Sequence, residues 1–241
     1  MNMKAVGSLY LVSTPIGNLE DVSHRALRVL RDVRCIAAED TRRTRTLLTH
    51  FGIHNHLESY HDHNKRQKTP VLIEWLESGR SVAVVSDAGT PGISDPAFYL
   101  VRESIRRNIP VIPVPGPVAA IAALTASGLP TDRFVFEGFL PVKKGRQKRI
   151  RALEKETRTL ILYESPHRLL KTLKDCREVL GNRPMAVCRE LTKRFEEIQR
   201  GTIDELTRHF TGRKIQGEFV LVIQGNNKKN EKFHTNSNYT R

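Results

Sequence analysis

One loop in this 241-residue sequence combines residue types suited to binding a small molecule at the end of a buried strand. The apolar run Val82–Val85 leads directly into Ser-Asp-Ala-Gly-Thr-Pro-Gly-Ile-Ser-Asp-Pro, residues 86–96. Glycine lets the backbone approach a ligand closely, and proline fixes the shape of the loop. Ligands of open α/β sheets lie at the carboxyl ends of the strands. We therefore predict that Asp87 and Gly89 contact a ligand, whereas Asp95 caps the following helix.

The loops of this sequence lack the patterns that bind nucleotide phosphates. There is no GxxxxGK[ST] and no GxGxxG, and the turn-rich segment Thr14–Asn18 contains one glycine and no lysine. A cofactor here should not depend on a phosphate cradle. The absence of these patterns therefore points to S-adenosylmethionine.

Basic residues are in excess and are clustered. The chain has 40 Lys and Arg against 26 Asp and Glu, a net charge of +14. Such an excess attracts polyanions. We predict that nucleic acid binds two basic clusters. One contains Arg42, Arg43 and Arg45, and the other contains Lys143, Lys144, Arg146, Lys148, Arg149 and Arg151. Charge alone does not separate rRNA from tRNA or DNA.

Strands that alternate with helices predict a mostly parallel sheet in the first half of the chain. The predicted strands are Leu9–Val12, Cys35–Ala38, Val82–Val85 and Val111–Val114, and the predicted helices include Thr41–Phe51, Ala97–Arg107 and Val118–Ser127. A second α/β domain follows, with strands near Phe134, Leu160, Ala186 and Phe219. We place a hinge at 128–132, which gives domains 1–127 and 128–225 and a polar, disordered tail, 226–241.

The cysteines and histidines argue against a metal centre. Three widely spaced cysteines form no CxxC pair, which suits a reducing cytoplasm and argues against a zinc site or a disulfide framework. The histidines of the segment 54–63 have loop spacings that are common without metal, so we expect no metal. Tyr60 and His61 are instead candidates for stacking on an exposed base. No apolar stretch approaches the roughly 20 residues of a membrane span, so we expect a cytoplasmic protein.

The sequence resembles one known family in the order of its motifs. The shared segments are 13–18 (STPIGN), 38–42 (AEDTR), 59–64 (SYHDHN), 86–96, 115–117 (PGP), 136–141 (FEGFLP) and 163–168 (YESPHR). On these motifs the chain is identified as a member of the tetrapyrrole methylase superfamily, and it is most similar to the ribosomal-RNA methyltransferases within it. The resemblance runs from about residue 9 to 225.

The resemblance implies an α/β fold of two domains, with a mostly parallel N-terminal sheet, a mixed C-terminal sheet and the cofactor cleft between them. It implies an S-adenosylmethionine-dependent enzyme, usually a homodimer, that methylates the 2′ oxygen of a cytidine in the decoding region of 16S rRNA within the small ribosomal subunit. The family's cofactor pattern falls on Pro15, Asp87, Ile93, Ser94, Ala119, Ala120 and Leu191.

The chain departs from the family at two places. Ala97 stands where the family usually has glycine. Members often carry a further helical segment after the last strand, where this chain has the polar tail. We therefore do not carry over to this chain the RNA contacts or the specificity that this segment supplies in other members of the family.

A methyl group on sulfonium is already activated, so in-line positioning supplies most of the catalysis. A ribose hydroxyl is a poor nucleophile, and a base near it would help. The main candidate bases are Asp40, Glu164 and His167, with Glu39 and Glu190 also in reach of a strand end. Asp40 is equally suited to cap the helix that follows it. Arg168, next to His167, joins the predicted RNA-binding residues.

Two other functions remain open at the level of the sequence. A superfamily relative could methylate a tetrapyrrole or a protein side chain, against which the basic clusters argue. A ribosome-assembly factor could keep the fold and bind RNA without catalysis. The intact loop 86–96 argues against that second alternative, because a protein that only binds RNA does not need it.

Overall fold

The computed structural model describes residues 6–226, and the contacts divide the chain after Val118. The expected boundary after residue 127 lies nine residues later. The helix between these two positions, Ala119–Ser127, packs on the second sheet and therefore belongs to the second unit. The predicted disordered tail 226–241 lies outside the described residues except for Asn226.

The first unit contains a five-stranded sheet in which every pairing is parallel. The strand order is β3-β2-β4-β1-β5. The strands are β1 (Leu9–Val12), β2 (Cys35–Ala38), β3 (Leu57–Ser59), β4 (Val82–Val85) and β5 (Val111–Val114). Strands β2 and β4 are buried on both faces, which explains why they appear in the sequence as continuous apolar runs.

Helices cover both faces of this sheet. Helices α1 (His24–Asp32) and α2 (Thr41–His50) share a core with Ala83 and Val85. Helices α3 (Lys65–Glu77) and α4 (Ala97–Arg106) share the opposite core with the alternate residues of β4. The carboxyl ends of the strands lead into the loops that carry the candidate site.

The second unit contains a mixed sheet with the order β6-β7-β10-β8-β9. Its strands are β6 (Phe134–Phe139), β7 (Thr159–Glu164), β8 (Pro184–Arg189), β9 (Glu197–Thr202) and β10 (Phe219–Ile223). Its helices are α5 (Ala119–Ser127), α6 (Arg146–Ala152), α7 (Leu169–Leu180) and α8 (Ile203–Phe210). Only β6 and β7 pair in parallel. The predicted fold class, a parallel N-terminal and a mixed C-terminal sheet, is confirmed.

A tyrosine fixes the start of α5 on this sheet. The hydroxyl oxygen of Tyr163, in β7, accepts a hydrogen bond of 3.2 Å from the backbone N–H of Ala120. Burial raises the pKa of this phenol. The first N–H groups of a helix have no partner within the helix, so the phenol satisfies a group that would otherwise be orphaned. Ala119 and Ala120, two of the expected cofactor-binding residues, lie at this end of α5.

Five helices and strands of the structure are not among the elements predicted from the sequence. Strand β3 has three residues, and β9 is half-buried along most of its length, so its sequence EIQRGT shows no apolar alternation. Helix α3 carries Pro70 in its interior, and α6 is short and basic. Helix α8 begins with a capping box between Thr202 and Glu205, a readable signal that follows directly on β9. Across residues 6–226, no helix is long and apolar enough to cross a membrane.

Candidate active site

Three loops at the carboxyl edge of the first sheet are tied together. The backbones of Thr14 and Gly89 exchange two hydrogen bonds, at 2.9 and 3.0 Å. The hydroxyl of Thr90 lies 2.7 Å from that of Ser13 and donates to the carbonyl oxygen of Pro117 at 3.1 Å. The loops that follow β1, β4 and β5 are therefore held in one fixed arrangement.

Two glycines make this arrangement possible. Gly89 has φ +80°, a conformation that side-chain-bearing residues rarely adopt, and a Cβ there would lie 3.3 Å from Cγ2 of Ile16. A Cβ on Gly116 would lie 2.7 Å from Cβ of Ser13, so the backbones would have to separate. The expected close approach in loop 86–96 is thus an approach to the loop after β1.

A cavity of about 260 Å³ lies beside these loops. Its lining includes Thr14, Pro15, Arg43, His50, Ser86 and Asp87. Oγ1 of Thr14 is buried and has no hydrogen-bond partner among the described residues. Buried polar atoms nearly always have a partner, so this hydroxyl points to a polar ligand or a water at the cavity. The sequence motif contains Thr14, but only the structure shows its hydroxyl unpartnered.

Asp87 connects the ends of β4 and β2. Its Oδ1 accepts a hydrogen bond of 2.9 Å from the backbone N–H of Asp40, and its Oδ2 lies 3.4 Å from Nη1 of Arg43. One third of the Asp87 side chain remains exposed. The carboxylate therefore holds two loops together and still presents an acceptor at the cavity.

Glu39 lies beside Asp87, and the pKa of its carboxyl is raised. Its Oε2 accepts a hydrogen bond of 3.3 Å from the backbone N–H of Asp87. Burial raises the pKa of this carboxyl; the bond from Asp87 opposes the rise, and the charges of Asp87 and Asp95 add to it. A carboxylate with a raised pKa at a strand end is suited to accept a proton near neutral pH.

Asp40 is the N-cap of helix α2, and its carboxylate contacts Arg42, two residues later. Its Oδ1 accepts from the backbone N–H of Arg42 at 2.8 Å, and its Oδ2 lies 2.8 Å from Nη2 of the same arginine. The side-chain hydrogen bond from Arg42 holds the pKa of Asp40 well below its usual range. The structure thus places Asp40 as the helix cap, which was one of its two expected roles.

The second unit buries Glu164, a candidate base, completely. Its side chain has no exposed surface, and its oxygens accept bonds from Arg168 at 3.0 Å and from the hydroxyl of Thr172. This environment argues against a role for Glu164 as the base, because its carboxylate is buried and both oxygens already have partners. His167, three residues on, is exposed.

Arg146 is also buried, which corrects its assignment to RNA. Its side chain is 4% exposed, and its guanidinium donates to Asp175 at 2.6 Å and to Thr172 at 2.7 Å. Arg168 is committed in a similar way, to Glu164 and to the carbonyl oxygen of Leu140. Both arginines hold the second unit together.

The other basic residues of the segment 143–151 lie on the surface. Lys143, Lys144 and Lys148 are exposed and make no ion pair within residues 6–226. Arg149 is exposed as well but pairs with Glu137 in β6. Within residues 6–226, the exposed cations of the basic segment 143–151 that make no ion pair are therefore Lys143, Lys144, Lys148 and Arg151.

Other predicted cofactor residues lie in strained backbone. Ser94 has φ +69°, and Leu191 lies between Glu190 (φ +49°) and Thr192 (φ +66°). Such conformations cost free energy and cluster at ligand sites. Ile93, before Ser94, is 40% exposed, whereas Leu191 is buried.

Asp95 shapes the end of loop 86–96. It accepts from the backbone N–H of Gly92 at 2.7 Å and of Ala97 at 2.9 Å. Its carboxylate therefore accepts a hydrogen bond from the first residue of α4, as its sequence position indicates, even though Pro96 is the residue at the cap position. Ala97 begins α4 and is buried.

The histidine-rich segment supports neither a metal site nor the stacking role given to Tyr60. Tyr60 is 1% exposed, and its hydroxyl lies 3.1 Å from that of Thr69, so its ring is part of the core. Residues 6–226 contain no group of three or more metal-ligating side chains in a suitable arrangement.

Comparison with known proteins identifies the class of the chain. Residues 8–207 match the family model described as Tetrapyrrole (Corrin/Porphyrin) Methylases. The fold is similar to that of uroporphyrin-III C-methyltransferase from Thermus thermophilus complexed with S-adenosyl homocysteine, with a TM-score of 0.64, 18% identity, and coverage of 90% of this chain and 97% of that one. The chain belongs to the tetrapyrrole methylase family, and it is a methyltransferase.

Two relatives are much more similar in sequence. Ribosomal RNA small subunit methyltransferase I of Halalkalibacterium halodurans is 53% identical over 93% of this chain and 78% of its own length. The enzyme of the same name from Escherichia coli O157:H7 is 51% identical over 93% of this chain and 80% of its own. The resemblance to the ribosomal-RNA methyltransferases is confirmed.

Proposed function

We propose that this protein transfers a methyl group from S-adenosylmethionine to the 2′ oxygen of a cytidine in the decoding region of 16S rRNA. The identity of half its residues with ribosomal RNA small subunit methyltransferase I carries this proposal. The exposed lysines Lys143, Lys144 and Lys148 support a polyanionic substrate over a tetrapyrrole. We further propose that it acts on the small ribosomal subunit, in the cytoplasm and as a homodimer.

The residues of the first unit fit the proposed cofactor. The unpartnered hydroxyl of Thr14 and the exposed part of Asp87 offer an acceptor and a charge at one cavity, next to Pro15. Ile93, Ser94, Ala119, Ala120 and Leu191 complete the proposed cofactor-binding set. When bound, the sulfonium supplies an activated methyl group, which needs no metal.

The polar residues at the strand ends would orient the target nucleotide and accept the proton of its ribose hydroxyl. Glu39 is the proposed base, since its pKa is raised and its Oε1 makes no hydrogen bond in the described part of the chain. Asp40 and His167 remain the alternatives, one tied to Arg42 and the other exposed. Arg42 and Arg43, on α2, would hold phosphates and so orient the target nucleotide.

The decisive experiment measures incorporation of a labelled methyl group from S-adenosylmethionine into small ribosomal particles that lack this modification. Digestion to nucleosides should place the label in 2′-O-methylcytidine. Label in base or protein would contradict the assignment of the 2′ oxygen. RNA binding without any methyl transfer would support the assembly factor instead.

We expect Asp87→Ala to weaken S-adenosylmethionine binding about 10- to 150-fold, the effect of losing a hydrogen bond to a charged group. Isothermal titration calorimetry measures it. Asp87→Asn is the matched variant, because it keeps an oxygen for the N–H of Asp40 and loses only the charge. Asp95→Ala should have a smaller effect. Equal affinities in Asp87→Ala and Asp95→Ala would remove Asp87 from the site.

We expect reversal of Lys144 and Lys148 to glutamate to weaken RNA binding and to lower the salt slope by about 0.7 to 0.9 per lost phosphate contact. Anisotropy titrations at several salt concentrations measure both quantities. Arg208→Glu, at an exposed arginine on α8 outside this segment, is the control and should leave both quantities near wild type. Arg149 is left unchanged, because it pairs with Glu137. A wild-type slope in the double variant would show that these lysines face solvent only.

A further inference from the structure

An extra residue redirects a phenylalanine in the edge strand β6. The register between β6 and β7 shifts between Phe136 and Gly138, which has φ +61°. In a regular strand, Phe136 and Phe139 would point to opposite faces. With the bulge both contact the same ring, that of Tyr163, at centroid distances of 5.0 and 5.6 Å. β-Bulges are rare between parallel strands such as these, and where bulges lie next to functional sites they re-aim a side chain.

The redirected ring is exposed on a fixed support. Phe139 is 55% exposed, whereas Phe136 and Tyr163 are half-buried. Tyr163 is held through its hydroxyl by the N–H of Ala120. The ring of Phe139 meets Tyr163 edge to face, with an interplanar angle of 63°. Phe139 therefore contacts Tyr163 on one side, while more than half of its surface is exposed.

Phe139 differs from the other strongly exposed phenylalanines. The guanidinium of Arg102 lies 5.9 Å from the ring centroid of Phe98, and that of Arg194 lies 5.6 Å from that of Phe195. No cation covers Phe139 in the described structure. Of these three rings, that of Phe139 is the one over which no arginine lies in the described structure.

Cations follow Phe139 directly along the chain. Lys143 and Lys144 are exposed and unpaired within residues 6–226, and Lys148 follows on α6. An open aromatic ring next to unpaired cations is the combination that binds single-stranded nucleic acid, because the ring stacks on a base while the cations hold the backbone. We propose that Phe139 is a stacking platform for an unpaired base of the RNA substrate. This inference rests on the proposed function.

The test compares Phe139→Ala with the wild-type protein in titrations of in vitro transcribed 16S rRNA and of a short single-stranded RNA. Loss of one stacked base should weaken binding about 5- to 150-fold. The salt slope should not change, since stacking releases no counterions. Phe98→Ala is the matched control, a phenylalanine of similar exposure whose removal should leave RNA affinity unchanged.

A second variant reports on the contact itself. Phe139→Trp should retain RNA affinity, and its fluorescence should fall when RNA binds, above the background of the single native tryptophan, Trp75. Wild-type affinity in Phe139→Ala, or an unquenched Phe139→Trp, would overturn the proposal. So would a Phe139→Ala protein that loses self-association in sedimentation but keeps RNA affinity. Failure of the wild-type protein to methylate rRNA would instead reject the proposed function.

Discussion

Glu39→Gln should lower the single-turnover rate of methyl transfer by about 10²- to 10⁴-fold, the contribution typical of a general base. Glutamine keeps an oxygen that accepts the N–H of Asp87, so the loop contact survives while the proton acceptor is lost. Burial raises the pKa of Glu39, so the wild-type rate should rise with pH through that pKa and then level off. The variant should lack this rise.

The stability of the same variant separates catalysis from misfolding. A raised pKa means that the folded state favours protonated Glu39; this stabilisation is complete below the unfolded pKa and is lost as pH rises through the folded pKa. Glu39→Gln should therefore be at least as stable as wild type at neutral pH, and the difference should shrink on acidification. Thermal melts from about pH 4 to about pH 8 bracket the ordinary glutamate pKa.

Asp40→Asn is the control for the neighbouring carboxylate. Its acceptor oxygen can still cap α2, and its charge is already matched by Arg42. Its rate should fall much less than that of Glu39→Gln. A near-wild-type rate in Glu39→Gln would show that the base is elsewhere, with His167→Ala as the next variant to measure.

Arg146→Ala should lower the free energy of unfolding by about 3 to 5 kcal/mol, because it leaves the buried carboxylate of Asp175 without its partner. The same change removes a hydrogen bond to Thr172, the residue that also donates to Glu164. Urea unfolding followed by circular dichroism measures the loss. Trp75 lies in the first unit, so its fluorescence is not the signal to follow.

Two further variants test this interpretation of Arg146. Lys148→Ala, on the same helix but exposed, should change stability by no more than about 0.5 kcal/mol. Arg146→Met combined with Asp175→Leu should recover most of the loss, since apolar residues of similar volume often replace a buried ion pair without cost. A loss below about 1 kcal/mol in Arg146→Ala would return Arg146 to the solvent-exposed, RNA-binding set.

The sequence is informative where structure is buried and regular. Strands β2 and β4 appear as apolar runs, and the glycines and prolines of loop 86–96 mark the edge that holds Asp87. Half-buried elements such as β9 are not predicted from the sequence, because neither face of the strand shows a regular apolar spacing. The predictions therefore succeeded best for the first sheet and the overall fold class.

The basic segment shows what residue type alone misses. Six cations in nine residues suggest one RNA-binding surface, yet Arg146 points inward. The signal was present, because Arg146 lies four residues before the buried Ile150 and so on the same face of α6. The direction of the Phe139 side chain is harder to predict, because it depends on a register shift in β6. Gly138 permits this shift, but a glycine in a strand sequence does not by itself predict one.

The pairing of β1 has a consequence for synthesis. Leu9 pairs with Val82 and with Val111, so β1 is synthesised about one hundred residues before its second partner. At 5–20 residues per second, roughly 5 to 20 s pass before β5 exists. Until then one edge of β1 stays unpaired even after β4 has been made, and an open edge of an apolar strand promotes aggregation. A nascent chain stalled before β5 should therefore bind chaperones, and one extended past β5 should be released.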